Sequence, residues 1–339
     1  MSAIATLLIK EGFRVSGSDV KENQIIRNLR QAGADVVIGH DKKNIAETVD
    51  TLVYSSAIRQ DNPELIEAAS RKLDIFRRAQ MLYRLMQGKK TITVTGAHGK
   101  TTTASLIAFI LSQAGLKPTA AIGGLIRNFA INAWLGEGDY FVAEADESDG
   151  SFLNYCPKFS VITNIDKEHL DYYGNFKKLL SAFSEFMARL EDSGLLIVNS
   201  GDNNLIKLAE KSGKRFLTFG FDSKADIRAE AIKILPSGSE FDCFLKGKKL
   251  GSISCPLLGE HNILNCLAAT LLSLELNIDF TVIKEAIKNF QGTKRRQEIK
   301  LDKPGLMVFD DYAHHPTEIK ATLKAIKNSA VSPQRKKVI

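Results

Sequence analysis

Cysteine pairs, long apolar runs, internal repeats and blocks of like charge are all missing from this sequence. Each absence removes a class of protein. The four cysteines, Cys156, Cys243, Cys255 and Cys266, are scattered through 339 residues, and no two form a C-x-x-C pair. That spacing argues against zinc-binding and disulfide frameworks and reads as buried thiols in a reducing compartment. No apolar run approaches the length that spans a bilayer, and no signal-peptide pattern opens the chain, so a cytoplasmic setting with no membrane insertion is expected. The net charge of +7 is spread along the sequence, with its densest runs at Lys294–Arg296 and Arg335–Lys337. This leaves no nucleic-acid footprint, while a mildly basic balance suits anionic ligands such as nucleotides. Apolar residues make up 44% and charged residues 25%, the composition of a soluble globular chain long enough for two or three domains.

The most informative feature present is a strand, a turn and a helix. Thr91–Thr95 (TITVT) is β-branched and reads as a buried strand. Gly96-Ala97-His98-Gly99-Lys100-Thr101 follows, and from there Leu106, Ile107, Ile110 and Leu111 recur at helical spacing up to Gly115. Glycines let the backbone turn tightly beside an anion, and the helix N-terminus adds a partial positive charge. Lys100 is placed to reach the β- and γ-phosphates of a triphosphate, and the Thr101 hydroxyl to bind the accompanying Mg²⁺. The loop is shorter than G-x-x-x-x-G-K-[ST], since only Ala97 and His98 separate its glycines. The bland alternative is a glycine-containing turn with a surface lysine.

Around this unit the pattern is α/β. A strand at Phe13–Ser16, a Gly17-Ser18-Asp19 turn, helices at Glu22–Gln31, Pro63–Ser70 and Ala79–Met86, and strands at Asp35–Ile38 and Thr51–Ser55 predict a parallel sheet with flanking helices. Met1–Lys10 reads as a helix with no strand before it. Strands at Tyr140–Ala143, Val161–Asn164 and Leu195–Asn199 alternate with a helix at Phe176–Leu190. Three turn-bounded strands, Ala229–Ile234, Ser239–Leu245 and Lys249–Ser254, then predict a small antiparallel meander. Helices at Asn262–Leu276 and Phe280–Phe290 follow. Beyond Lys303-Pro304-Gly305 stand a strand, Leu306–Asp310, a helix, Pro316–Ala330, and the start of a further strand at the end. The expected division is 1–89, 90–303 and 304–339.

Polar clusters terminate several of these strands. Glu144-Ala145-Asp146-Glu147-Ser148-Asp149 ends one, and Glu144 is placed to face a cation near Thr101, because ligands collect beyond the carboxyl ends of parallel strands. A solvated acidic turn is the alternative. Asp166-Lys167-Glu168-His169 ends another, with His169 a candidate for a metal or its water. Asn262 and Asn265 share a helix face and either read a purine edge or, in the case of Asn262, cap the helix; spacing alone favours capping. Arg295 and Arg296 either clamp a phosphoryl group or are simply solvated. Asp310-Asp311-Tyr312-Ala313-His314-His315-Pro316 is either a second wall of a nucleotide site or a polar cap.

Taken in order, GAHGKTTT, EADESDGSF, TNIDKEHLDYYG, GEHNILN, FQGTKRR and DDYAHHPTE resemble signatures of the Mur ligase superfamily, and among its members the alanine-adding one. VSGSD and SSAI resemble its UDP-binding turns, and GGLIRNFAINAWLGEG the segment that meets the sugar-linked substrate. The resemblance implies an incomplete N-terminal Rossmann-like domain, a central P-loop-type α/β ATPase domain and the start of a C-terminal Rossmann-like domain. It implies ATP-dependent joining of L-alanine to UDP-N-acetylmuramate through an acyl phosphate, in peptidoglycan precursor synthesis, with Mg²⁺ as cofactor. A tripeptide-adding member of the same family and an inactive nucleotide-binding fragment are the alternatives. Carried over by motif, Gly96 to Thr102, with Ala97, His98, Gly99, Lys100 and Thr101 between them, cradle ATP. Asn262 and Asn265 meet its adenine, Arg296 its γ-phosphate, and Asp311 and Tyr312 contribute from the third domain. His98 is also placed to touch the acceptor substrate. Lys100, Glu144, His169 and Arg296 form the catalytic set. Thr101, Glu144 and His169 form the metal set, and Ser18, Asp19, Ser55 and Ser56 are candidates for the UDP moiety. The family's first strand and glycine-rich turn, and most of its third domain, are not in these residues. The chain is therefore expected to be shortened at both ends, to bind ATP weakly and to ligate little.

Overall fold

The structure is a computed structural model that describes residues 1–303 and 306–329. The strand expected at the end of the chain and the Arg335–Lys337 run lie outside the described residues, as do Pro304 and Gly305 of the expected turn.

The N-terminal segment runs α1 (Ser2–Lys10), β1 (Ser16–Asp19), α2 (Gln24–Gln31), β2 (Asp35–Ile38), β3 (Thr51–Tyr54), α3 (Pro63–Ser70), β4 (Asp74–Arg77) and α4 (Arg78–Met86). Its strands form two separate parallel pairs, β1 with β2 and β3 with β4, where one continuous sheet was expected. The first strand is also shifted: it occupies Ser16–Asp19, so the Gly17-Ser18-Asp19 stretch is extended strand and not a turn. β4 was not foreseen, because only Ile75 and Phe76 mark it as apolar. Helices α1 and α4 do not rest on these strands alone. Ile4, Leu7, Leu82 and Met86 are buried in the same apolar cluster as Phe141 and Ala133 of the following segment.

That segment contains β5 (Lys90–Thr95), α5 (Lys100–Gln113), β6 (Thr119–Ile126), β7 (Ile131–Trp134), β8 (Tyr140–Glu144), β9 (Phe159–Ile162), α6 (Leu170–Tyr173), α7 (Phe176–Ala188), β10 (Leu195–Asn199) and α8 (Asn203–Ser212). It continues with β11 (Phe216–Gly220), β12 (Ile227–Leu235), β13 (Gly238–Leu245), β14 (Lys248–Cys255), α9 (Glu260–Glu275) and α10 (Phe280–Asn289). Among the described residues these strands make one ten-stranded sheet, in the order β14-β13-β12-β11-β10-β9-β5-β8-β6-β7. β5 lies in its middle, parallel to both β8 and β9. The meander β12–β14 extends the sheet edge through β11.

Alternation along the strands sends side chains to two cores. Leu195 and Ile197 join α5 and α9 on one face, whereas Leu196 and Val198 join α7 and α8 on the other. The result is a three-layer α/β/α core. α5 is buried on every side from Thr102 to Leu111, because it lies between the sheet and α9. Of the four cysteines, Cys243, Cys255 and Cys266 are buried as expected, and Cys156 is exposed.

The third segment is β15 (Glu298–Lys303), β16 (Leu306–Asp310) and α11 (Pro316–Ser329). β15 was not foreseen, since it alternates charge with isolated apolar residues. It pairs antiparallel with β16 across the expected boundary at 303–304. Among the described residues no helix is long and apolar enough to cross a membrane.

Candidate active site

The turn after β5 is possible only with glycine at two positions. Gly96 has φ +119°, and a Cβ there would fall 2.4 Å from Thr163 Oγ1 and 2.7 Å from the Asn164 carbonyl. Gly99 has φ +84°, and its Cβ would fall 2.6 Å from Asn265 Oδ1. The loop is therefore pressed against the end of β9 on one side and α9 on the other. Gly99 caps α5, leaving the first-turn N–H groups of Lys100, Thr101 and Thr102 without intrahelical acceptors at the carboxyl edge of the sheet. Not every loop amide is available to an anion, however. Ala97 N donates to the Asn164 carbonyl at 3.2 Å and His98 N to Asn164 Oδ1 at 3.0 Å.

Lys100 folds back across the loop. Its Nζ donates to the Gly96 carbonyl (2.7 Å), the Ala97 carbonyl (3.3 Å) and Glu147 Oε1 (2.7 Å). Burial disfavours the ammonium, and the buried Glu147 carboxylate overcomes this, holding the Lys100 pKa above its ordinary value. Thr101 Oγ1 donates to Glu144 Oε2 at 3.0 Å, and Gly123 N donates to Glu144 Oε1 at 2.5 Å. Burial pushes the Glu144 carboxyl above the usual carboxylate range against these bonds and the nearby Lys100 charge. A partly buried carboxylate beside a hydroxyl is the all-oxygen donor set a hard cation takes, and a bound cation would relieve the desolvation of Glu144. Thr101 and Glu144 thus fit Mg²⁺. His169, in left-handed conformation at φ +56°, stands 3.8 Å from Glu147 Oε1 and joins the cluster through that residue.

Opposite the loop, Asn262 and Asn265 are buried on α9. Asn262 does not cap the helix, contrary to what its spacing favours. α9 starts earlier, at Glu260 with Gly259 as its cap, and Asn262 Nδ2 donates to the Leu258 carbonyl at 2.8 Å. Asn265 is committed to structure: Nδ2 donates to Asn262 Oδ1 (3.0 Å), and Oδ1 accepts from Thr103 (3.1 Å). His261 beside them has its pKa lowered by burial, so the imidazole is neutral near pH 7.

The third segment closes the far wall. Arg296 Nη1 lies 3.7 Å from Glu318 Oε1, and its guanidinium sits 5.3 Å from the Tyr312 ring centre. Arg295 stacks on the same ring from the outside at 4.9 Å. Asp311 accepts from Gln297 N at 2.7 Å, and Tyr312 is half exposed. His98 stacks on His315 at 5.2 Å, and its Nε2 is 2.9 Å from Asp166 Oδ2, which also accepts from Thr317 Oγ1. Burial disfavours the charged imidazole, but Glu318, Asp166 and Glu168 together hold the His98 pKa above its usual value. Glu318 is in turn drawn down to about 2 by His98, the His314 amide and Arg296, against its own burial. A cleft of about 810 Å³ results, lined by Gly99, Thr101, Asn262, Arg296, Asp311 and Glu318 among others.

The four N-terminal candidates do not form one such group. Ser18 Oγ donates to Glu64 Oε2 at 2.6 Å, and the Asp19 carboxylate accepts from Lys21 N. Ser55 caps its own turn through Ala57 N. Ser56 reaches the central segment: burial opposes the Asp149 carboxylate, and bonds from Ser151 and Ser56 overcome it, lowering its pKa. Arg78 meets Asp146 nearby at 3.4 Å.

Glu147, Asn164 and Glu318 were missed as individual site residues. Glu147 lies in the acidic run, but its place there does not set it apart from its neighbours. Asn164 holds the loop through its backbone and amide, which no spacing rule reveals. Glu318 lies one helical turn beyond His315, a signal that could have been used.

Comparison with known proteins agrees with this geometry. Residues 94–273 match the Mur ligase middle domain, and residues 1–90 match the model described as Mur ligase family, catalytic domain. The UDP-N-acetylmuramate–L-alanine ligase of Aquifex aeolicus is 45% identical over 328 residues, covering 97% of this chain and 72% of that protein. Among solved structures, the UDP-N-acetylmuramate–alanine ligase MurC of Thermotoga maritima superposes with a TM-score of 0.87 at 29% identity, covering 97% of this chain and 75% of that one. A murein peptide ligase from Psychrobacter arcticus superposes at 0.82 with 26% identity, covering 98% and 74%. A phosphate loop backed by a buried acid, facing paired asparagines, agrees with these matches: the chain belongs to the Mur ligase family.

Proposed function

We propose that the cleft binds Mg-ATP and that the chain joins L-alanine to the lactyl carboxylate of UDP-N-acetylmuramate. The contact between Thr101 and Glu144, directly beside the open N-terminus of α5, is the observation that carries this proposal. A carboxylate is a poor electrophile, so its oxygen first attacks the γ-phosphorus and ADP leaves with the electron pair of the broken P–O bond. The alanine amine then adds to the acyl carbon, phosphate departs with the C–O pair, and the amine gives up a proton. When bound at Thr101 and Glu144, Mg²⁺ supplies charge neutralisation for the phosphates.

Lys100 holds positive charge at the mouth of the loop, and Arg296 brings it from the opposite wall. Asn262 faces the adenine end, with Asn265 fixing its orientation. Asp311 holds the backbone that carries Arg296, and Tyr312 supports the guanidinium. His169 positions Glu147 and borders the metal. Ser56, near Asp149, is the N-terminal residue best placed to meet the sugar nucleotide. Ser18, Asp19 and Ser55 are proposed to shape its UDP pocket. The division of labour is 1–89 for the sugar nucleotide, 90–297 for ATP and Glu298 onward for closure, with the last boundary moved to include β15. A cytoplasmic setting follows from these substrates.

Phosphate release tests the proposal. Slow release that requires both UDP-N-acetylmuramate and L-alanine supports it; release that needs neither, or none at all with every substrate present, contradicts it. The likeness to a murein peptide ligase gives a second acceptor to try: release with a peptide in place of L-alanine assigns the chain to that activity.

A further inference from the structure

We propose that His98, Glu168 and His315 form a site for a transition-metal dication, best matched by Zn²⁺, separate from the Thr101–Glu144 pair. The three ligands come from the phosphate loop, the segment after β9 and the turn before α11, and their donor atoms all lie within 4.8 Å of one another. Glu168 Oε1 is 3.9 Å from His98 Nδ1 and 3.4 Å from His315 Nδ1. Donors about 2.0–2.1 Å from a tetrahedral zinc stand roughly 3.3 Å apart, so the two carboxylate–imidazole distances must close by about half an ångström or less and the imidazole pair by no more than about 1.5 Å.

The orientation of His98 is the second observation. Its Nε2 faces Asp166 Oδ2 at 2.9 Å, the arrangement in which a carboxylate accepts the ring N–H and leaves the other nitrogen to a metal. That other nitrogen, Nδ1, is buried and among the described residues has no hydrogen-bond partner of good geometry. His315 Nδ1 accepts a long hydrogen bond, 3.4 Å, from Thr317 N. Further negative charge surrounds the point: Glu318 Oε1 is 3.4 Å from His98 Nδ1, and Asp166 Oδ2 is 3.8 Å from His315 Nδ1. Arg296, 3.7 Å from Glu318, is a nearby opposing cation. Two imidazoles and a carboxylate select zinc-like ions, whereas the all-oxygen Thr101–Glu144 pair suits Mg²⁺. An ion here ties α11 to the phosphate loop and holds the cleft closed.

The test is equilibrium dialysis of the full chain against Zn²⁺ in excess Mg²⁺, without nucleotide, so its outcome does not depend on ligase activity. One retained Zn²⁺ per chain is expected, with affinity falling at least about tenfold in Glu168→Gln and in His315→Gln. His169→Ala, which removes a neighbouring imidazole but none of the three ligands, keeps the ion. No retained Zn²⁺, or full retention in both ligand variants, overturns the proposal. Should a variant fail to fold, the Co²⁺ spectrum of the unaltered chain decides. A visible band of tetrahedral nitrogen–oxygen ligation, displaced by Zn²⁺ and not by Mg²⁺, supports the site. Its absence, or a thiolate charge-transfer band pointing to the cysteines, overturns it.

Discussion

The strands around β5 and the two strand pairs of the N-terminal segment are both parallel, yet they are held in different ways. β5 is buried from Thr91 to Thr95 and flanked by strands on both sides. β1 and β2 are short, largely exposed and, among the described residues, paired only with each other. In the first region tertiary burial fixes the backbone, and a functional turn can be cut finely against it. In the second, side-chain bonds such as Ser18 to Glu64 carry more of the order.

Mutations sharpen this contrast, and the largest effect belongs to the loop itself. Lys100→Ala leaves Glu147, only 1% exposed, without its cation; stability should fall by about 3–5 kcal/mol in urea denaturation and phosphate release should disappear. Leu106→Ala in α5 should cost about 2–5 kcal/mol, whereas Val37→Ala in β2 should stay within about 0.5 kcal/mol. Equal losses at the two sites would erase the distinction between the regions. Gly99→Ala meets both a left-handed φ and Asn265, while Gly39→Ala meets the φ alone, with none of the described residues within 4 Å of its new Cβ. The former should lower the thermal midpoint more, with the φ term worth about 1–2 kcal/mol at each. Ser18→Ala should show the smallest change, about 1 kcal/mol, through the lost bond to Glu64.

Legibility in the sequence follows the same contrast. TITVT, the glycine turn and the helix after it were readable because local propensity and burial agree there. The strand at Leu195–Asn199 was readable for the same reason. β1 was misplaced because Val15 and Phe13 attract a strand assignment that pairing with β2 moves to Ser16–Asp19. β6 and β7 went unrecognised as strands, since Gly123 and Gly124 interrupt the apolar pattern where the backbone passes Glu144 and Thr101. In the site, Glu144 and Lys100 were read from their places at strand and helix ends, and the structure brings both beside the loop. Asn164 and Glu318 were not, because their roles arise only when segments far apart in sequence are folded together.

Calorimetric titration with Mg-ATP, comparing the unaltered chain with Glu144→Gln, puts the most direct question to the cleft. Saturable heat in the first and a loss of at least about tenfold in affinity in the second are expected. No heat at millimolar nucleotide, or equal binding by both proteins, would contradict the placement of the triphosphate at Thr101 and Glu144.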